Sequence, residues 1–271
     1  VTEALCEPVA RHAAAEVSPA RIRLWELPHL LALDAVAVAV AWQAVLAESV
    51  AAHVTTPTRI ALGAIVWAVY LLDRLWDQRG DTPDTARHAF SARFGRVLAG
   101  LAASSALLAL AAAFRVPLHL VAPGLGLGAF VLAYFVWVHV AAARGVLGIK
   151  EAAAGWSFAL GASVPALVGP QEAGVAGFGA IAIFAAACWW NCRLIDRWET
   201  GRRFARWETL GIAAVAAFGL LVSGLRIGWA PALLFPLFAA IHAGIPDRRT
   251  ARAVLDLAMA ALGLLCWTML R

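Results

Sequence analysis

Long apolar runs alternate with short polar joints along this chain, and the spacing of the joints predicts its elements. Runs of about 17 to 25 residues, the length that carries a helix across roughly 30 Å of hydrocarbon, fall near 30–52, 58–75, 97–114, 118–140, 152–168, 173–192, 209–225, 229–245 and 252–270. The expectation is an all-α, polytopic membrane protein with nine transmembrane helices. Residues 1–29 are polar and of mixed charge, contain Pro8 and Pro19, and lack the apolar core and cleavage site of a signal peptide. They read as a cytoplasmic or interfacial tail, in which the amphipathic stretch from Arg21 to His29 approaches the membrane surface with Trp25 as its anchor. Residues 30–271 form the nine-helix domain.

Composition agrees with that reading. Hydrophobic residues make up 62% of the chain and charged residues 14%, with a mean hydropathy of +0.78, far from the balance of a soluble domain. The net charge of +5 comes from 22 basic residues that are unevenly placed. With the N-terminus inside, only Arg59, Arg115, Arg226 and Arg271 fall on the outer side, and all the others fall on the inner side. Cytoplasmic loops retain Arg and Lys in this way, so the N-terminus is placed in the cytoplasm and the C-terminus outside. The charge is a topology signal and implies no nucleic-acid partner. The expected location is the bacterial inner (cytoplasmic) membrane, as a multi-pass protein in contact with membrane lipids.

Two features carry no chemistry. Cys6, Cys188, Cys192 and Cys266 form no metal or disulfide pattern; Cys188 and Cys192 share a helical face and read as packed thiols. Gly124, Gly126 and Gly128 do not follow a strand, so a phosphate loop is excluded and close helix packing through small residues is expected.

The chemistry lies in two acidic clusters. Asp73 and Asp77 stand four apart where the second segment ends, and Asp196 and Glu199 stand three apart where the sixth ends. Each pair shares a helical face, each has an adjacent arginine (Arg74 and Arg197), and the topology puts both on the cytoplasmic side. Hard oxygen ligands of this kind suit Mg²⁺, which binds through one or two carboxylates plus substrate phosphate oxygens. Two such clusters facing each other would hold a diphosphate between them. Asp34 stands apart, little more than a turn inside the first segment, where it would meet an acceptor or turn toward the interface.

With these residues in place the chain resembles the UbiA superfamily of intramembrane prenyltransferases. Val69, Asp73, Arg74 and Asp77 occupy the places of that family's Asn-x-x-x-Asp-x-x-x-Asp motif, and Ile195-Asp196-Arg197 with Glu199 stands for its second motif. Gly148-Ile149-Lys150, leading into Gly155 to Ser163, looks like the segment that enters helix five in chlorophyll-synthase-like members. The resemblance implies nine helices, Mg²⁺ bound by Asp73, Asp77, Asp196 and Glu199, and a substrate diphosphate contacted by Arg74, Arg87, Lys150, Asn191 and Arg197. Asn191 stands in for a polar ligand that the second motif lacks, and Val69 replaces the first motif's Asn.

The implied reaction moves a prenyl group from a prenyl diphosphate to an aromatic or other lipophilic acceptor. Mg²⁺ neutralises the leaving group, the basic residues stabilise charge as the carbon–oxygen bond breaks, and the helices keep the cation dry. Trp67, Phe130, Trp137, Phe158 and Phe184 are expected to line a tunnel for the prenyl tail. Two alternatives stay open. One is a noncatalytic accessory subunit with a partner in a membrane complex. The other is haem or pigment binding through His29, His139 and His242.

Overall fold

The computed structural model describes residues 24–77, 86–140, 149–169, 174–201 and 206–271. Among these, 91% are helical and none forms a strand. A 3₁₀ turn (Leu24–Glu26) leads into the short α1 (Leu27–Leu30). Then follow α2 (Leu33–Ser49), α3 (Thr56–Asp77), α4 (Ala86–Ala113), α5 (Leu118–Val140), α6 (Ile149–Val168), α7 (Gly174–Thr200), α8 (Arg206–Ala232), α9 (Leu234–Gly244) and α10 (Arg248–Leu270). Each apolar run predicted above falls on this series. The joint between the seventh and eighth runs, 226–228, lies inside α8, shortly after Gly224, where φ 64° and ψ 175° interrupt the helix. That conformation is essentially confined to glycine.

Several helices are apolar enough to suit a membrane, though among the described residues fewer meet the length and apolarity of a span than the sequence led us to expect. Four do so outright: Phe90–Ala113, Val175–Trp198, Arg206–Gly224 and Thr250–Leu270. A fifth arises if Leu24–Leu30 and Leu33–Ser49, bent by 69° against each other, count as one. Part of the shortfall is a matter of charge: Arg59, Asp73, Arg74 and Asp77 sit on α3, and Lys150 and Glu151 open α6.

The helix α2 packs against α3, α6, α7 and α10, while α7 runs between α6 and α8; α4 lies on α3, and α5 on α6. At the centre Trp42 stacks on Phe184 with ring centroids 4.8 Å apart and donates its indole N–H to the Met259 carbonyl at 3.1 Å. Small residues let the helices approach this closely. A Cβ on Gly155 would stand 2.5 Å from the Trp189 backbone nitrogen, and one on Gly179 would stand 2.6 Å from the Gly219 carbonyl oxygen. The close packing predicted at Gly124, Gly126 and Gly128 is not found. No described atom outside their own helix lies within 4 Å of where their Cβ atoms would be.

Helix ends meet as an up-and-down order requires. At one end the start of α3 approaches the end of α10, where Arg59 and Arg271 flank the Trp267 ring at 5.8 and 4.1 Å. The other end gathers the starts of α2, α8 and α10 and the ends of α3 and α7.

Candidate functional site

That second end is built around a corner in the backbone. Between α1 and α2, Ala32 takes φ 56°, a left-handed conformation that costs an L-residue about 1–2 kcal/mol. The corner exposes the last carbonyls of α1, and donors from α3 satisfy them. Arg74 donates through Nη1 to the Leu30 carbonyl and through Nη2 to the His29 carbonyl, the latter at 2.6 Å. Trp67 donates its indole N–H to the Leu31 carbonyl at 2.8 Å. Arg74 is only 5% exposed, which a buried guanidinium tolerates because its hydrogen bonds have fixed partners.

The pinned corner presents His29 to two carboxylates from distant parts of the chain. Its Nδ1 lies 2.7 Å from Oδ2 of Asp34 and 3.9 Å from Oδ2 of Asp256 on α10. Asp34 is 2% exposed, and its other oxygen accepts the Ala35 backbone N–H at 2.9 Å. Asp256 accepts a hydrogen bond from Nδ2 of Asn191 on α7 at 3.1 Å, and the Asn191 Oδ1 is buried with no hydrogen-bond partner. Tyr70 on α3 and Cys192 on α7 lie within electrostatic reach of Asp256, and Tyr70 of Asp34 as well. Among the described residues this is the one place where three metal-ligand-type side chains converge, within 4.8 Å of one another. His29 Nδ1 and Asp34 Oδ2 are already hydrogen-bonded to each other. The group is therefore wired as a hydrogen-bonded chain, and a cation at its centre would have to break the His29–Asp34 bond.

A second buried network stands further along α7. Arg193, counted above with the loop arginines, is 3% exposed. It donates through Nη1 to Asp196 Oδ2 at 2.5 Å and through Nη2 to Glu208 Oε2 at 2.8 Å. Glu208 opens α8 and is 1% exposed, so Arg193 ties α7 to α8 through it.

These contacts place the residues singled out from sequence. Asp73 lies half-buried beside Arg74 near the end of α3, and Val69 is half-buried one turn before it. Asp196 and Arg197 lie on the last turns of α7, beyond Asn191 by about 1.5 Å per residue of helix rise. Lys150 is exposed in the first turn of α6, with its carbonyl accepting the Tyr134 hydroxyl at 3.0 Å. The side chains of Asp77, Arg87, His139 and Glu199 lie outside the described residues, as does the chain before Leu24. Asp34, for which the sequence left two orientations open, is buried and paired with His29. Asn191 faces Asp256.

The expected aromatic tunnel is not built as a unit. Phe184 is sealed in the core against Trp42, Phe130 is 51% exposed on α5, and Trp67 caps a carbonyl. Phe158 alone of the five meets the polar end's aromatic, standing edge-on to Tyr70 at 6.3 Å. His242 accepts the Trp198 indole N–H at 3.0 Å through Nδ1, away from His29.

Sequence reasoning passed over Asp256, Arg193 and Glu208. Asp256 carried the same signal that singled out Asp34, an ionisable side chain about a turn inside an apolar segment. Nothing in the spacing paired residue 193 with residue 208. No family model, no curated protein and no solved structure matches this chain.

Proposed function

We propose that this chain is a Mg²⁺-dependent intramembrane prenyltransferase, with nine spans and a cytoplasmic N-terminus, moving a prenyl group from a prenyl diphosphate to an aromatic or other lipophilic acceptor. The observation that carries the reading is the largely buried group of His29, Asp256 and Asn191 around the fully buried Asp34, set in an apolar helical bundle and linked through α3 and α7 to the acidic helix ends. An ionisable group inside a membrane costs at least about 2.5 kcal/mol on insertion scales. Core packing alone gives no return on burying several together, so they are retained for chemistry.

The helix ends offer what a diphosphate needs. Asp73 and Asp196 are hard oxygen donors, the ligand type that Mg²⁺ takes, and with Asp77 and Glu199 they would hold the ion. Arg193 offsets part of the charge on Asp196, so the first cluster has the stronger claim on a cation. Bound Mg²⁺ supplies charge neutralisation that makes diphosphate a better leaving group. Lys150, Arg87 and Arg197 bind phosphate oxygens, and Asn191 holds Asp256 in place. Arg74 shifts from the phosphate contact expected above to a positioning role, since its guanidinium holds the backbone that carries His29. The apolar walls keep water from the allylic cation until the acceptor takes it.

The test is diphosphate release by purified protein in nanodiscs, with geranyl, farnesyl and geranylgeranyl diphosphate as probes, with and without Mg²⁺. The expected result is Mg²⁺-dependent release that falls by about a hundredfold or more in Asp73→Asn and Asp196→Asn. A wild-type protein that neither binds nor cleaves any of the three would favour a noncatalytic subunit of a membrane complex.

A further inference from the structure

An imidazole whose Nδ1 is fixed on a buried carboxylate is the arrangement that prepares the opposite nitrogen to accept a proton. His29 has this form. Asp34 orients the ring from a position that is almost fully buried, and Asp256 adds a second negative charge 3.9 Å from the same nitrogen. The backbone beneath the ring is held by Arg74 and, two residues on, by Trp67. Nε2 has no hydrogen-bond partner among the described residues and is not one of the sealed polar atoms, while the side chain keeps 15% of its surface accessible. The ring is therefore fixed on one side and open on the other.

We infer that His29 is the general base of this site, taking the proton that the acceptor loses when its reacting atom bonds to the prenyl carbon. This deepens the transferase reading and rests on it. In the step, the prenyl carbon–oxygen bond breaks and its electron pair leaves on diphosphate. A new bond forms between that carbon and the acceptor, and the acceptor's proton moves to Nε2 of His29. Asp34 and Asp256 stabilise the imidazolium so formed, in surroundings where a fixed negative charge acts more strongly than in water. The acceptor class that follows is a lipophilic molecule with a removable proton at its reacting atom, such as a hydroxyaromatic ring. The charged groups that meet His29 are Asp34 on α2, Asp256 on α10 and, at its carbonyl, Arg74 on α3; Tyr70 on α3, Cys192 on α7 and Arg252 on α10 surround Asp256, and Glu26 stands on the preceding turn.

Two arms test this on the full chain in nanodiscs. The first compares wild type, His29→Gln and His29→Ala for farnesyl diphosphate binding and for transfer to a panel of hydroxyaromatic acceptors across pH. Transfer is expected to fall roughly 10²–10⁴-fold with farnesyl diphosphate binding retained, and added imidazole is expected to restore part of it in His29→Ala. Loss of binding together with transfer, or transfer within about threefold of wild type, overturns the inference. The second arm needs no turnover. Diethyl pyrocarbonate, which acylates an accessible neutral imidazole nitrogen, is expected to label His29, and Asp34→Asn is expected to slow that labelling. An unlabelled His29, or a stoichiometric bound metal lost in His29→Gln, overturns the assignment as a base. If wild type releases no diphosphate while His29 labels as expected, the transferase reading has failed, and the acceptor-proton role fails with it although the histidine–aspartate pair stands.

Discussion

Replacing Arg193 with leucine should cost this protein more stability than almost any other single change near the polar end. Arg193 is 3% exposed and Glu208 1% exposed, and the guanidinium binds Glu208 on α8 and Asp196 on its own helix. At about 4 Å between charge centres and an effective dielectric of about 20, one such pair attracts by about 4 kcal/mol before desolvation is charged against it. Removing the arginine forfeits that attraction and takes the guanidinium from a buried carboxylate, a change that costs about 3–5 kcal/mol when one partner of a buried pair is deleted. Arg193→Leu with Glu208→Leu removes both charges, so it should recover most of the loss. The assay is thermal unfolding of detergent-purified protein, followed by tryptophan fluorescence in a double-mutant cycle. On the scale of about 2–4 °C per kcal/mol for domains of 150–250 residues, the single variant should melt roughly 6 °C or more below wild type and the double variant well above the single. A single variant within about 2 °C of wild type, or a double variant no better than the single, would refute the claim that this pair clamps α7 to α8.

Two further outcomes follow from packing and topology. Gly155→Leu should reduce the yield of folded protein sharply, because even its Cβ would lie 2.5 Å from the Trp189 backbone nitrogen, whereas Gly126→Leu, with nothing described near it, should leave the melting temperature within about 1 °C; size-exclusion profiles and melting curves of both would check this. In a cysteine-free background, an impermeant thiol reagent applied to intact cells should label Thr55→Cys, between α2 and α3, and spare Asp247→Cys, between α9 and α10, since nine spans with a cytoplasmic N-terminus put these joints on opposite sides; labelling of both or of neither would overturn that topology.

The apolar runs by themselves determined that this chain is all-helical and which stretches form its helices, although α4 begins and α7 ends well outside the runs that marked them. Helix formation over 17 to 25 apolar residues is a local matter, settled by backbone hydrogen bonding with no water to compete. The acidic ends of α3 and α7 and the unusual place of Asp34 were visible for the same reason, since a charge at or inside an apolar run is conspicuous. Tertiary structure alone decided which charges meet. His29 and Asp34 are close in sequence, yet Asp256 and Asn191 reach them only because α7 and α10 both pack on α2. Arg74 looked like a ligand for phosphate, and its guanidinium is bound to the His29 and Leu30 carbonyls beside a left-handed Ala32. Arg193 looked like one more loop arginine and is buried between two helices. A guanidinium or carboxylate in an apolar bundle takes whichever partner the packing brings within hydrogen-bond reach, and sequence spacing carries no record of that partner once it lies on another helix.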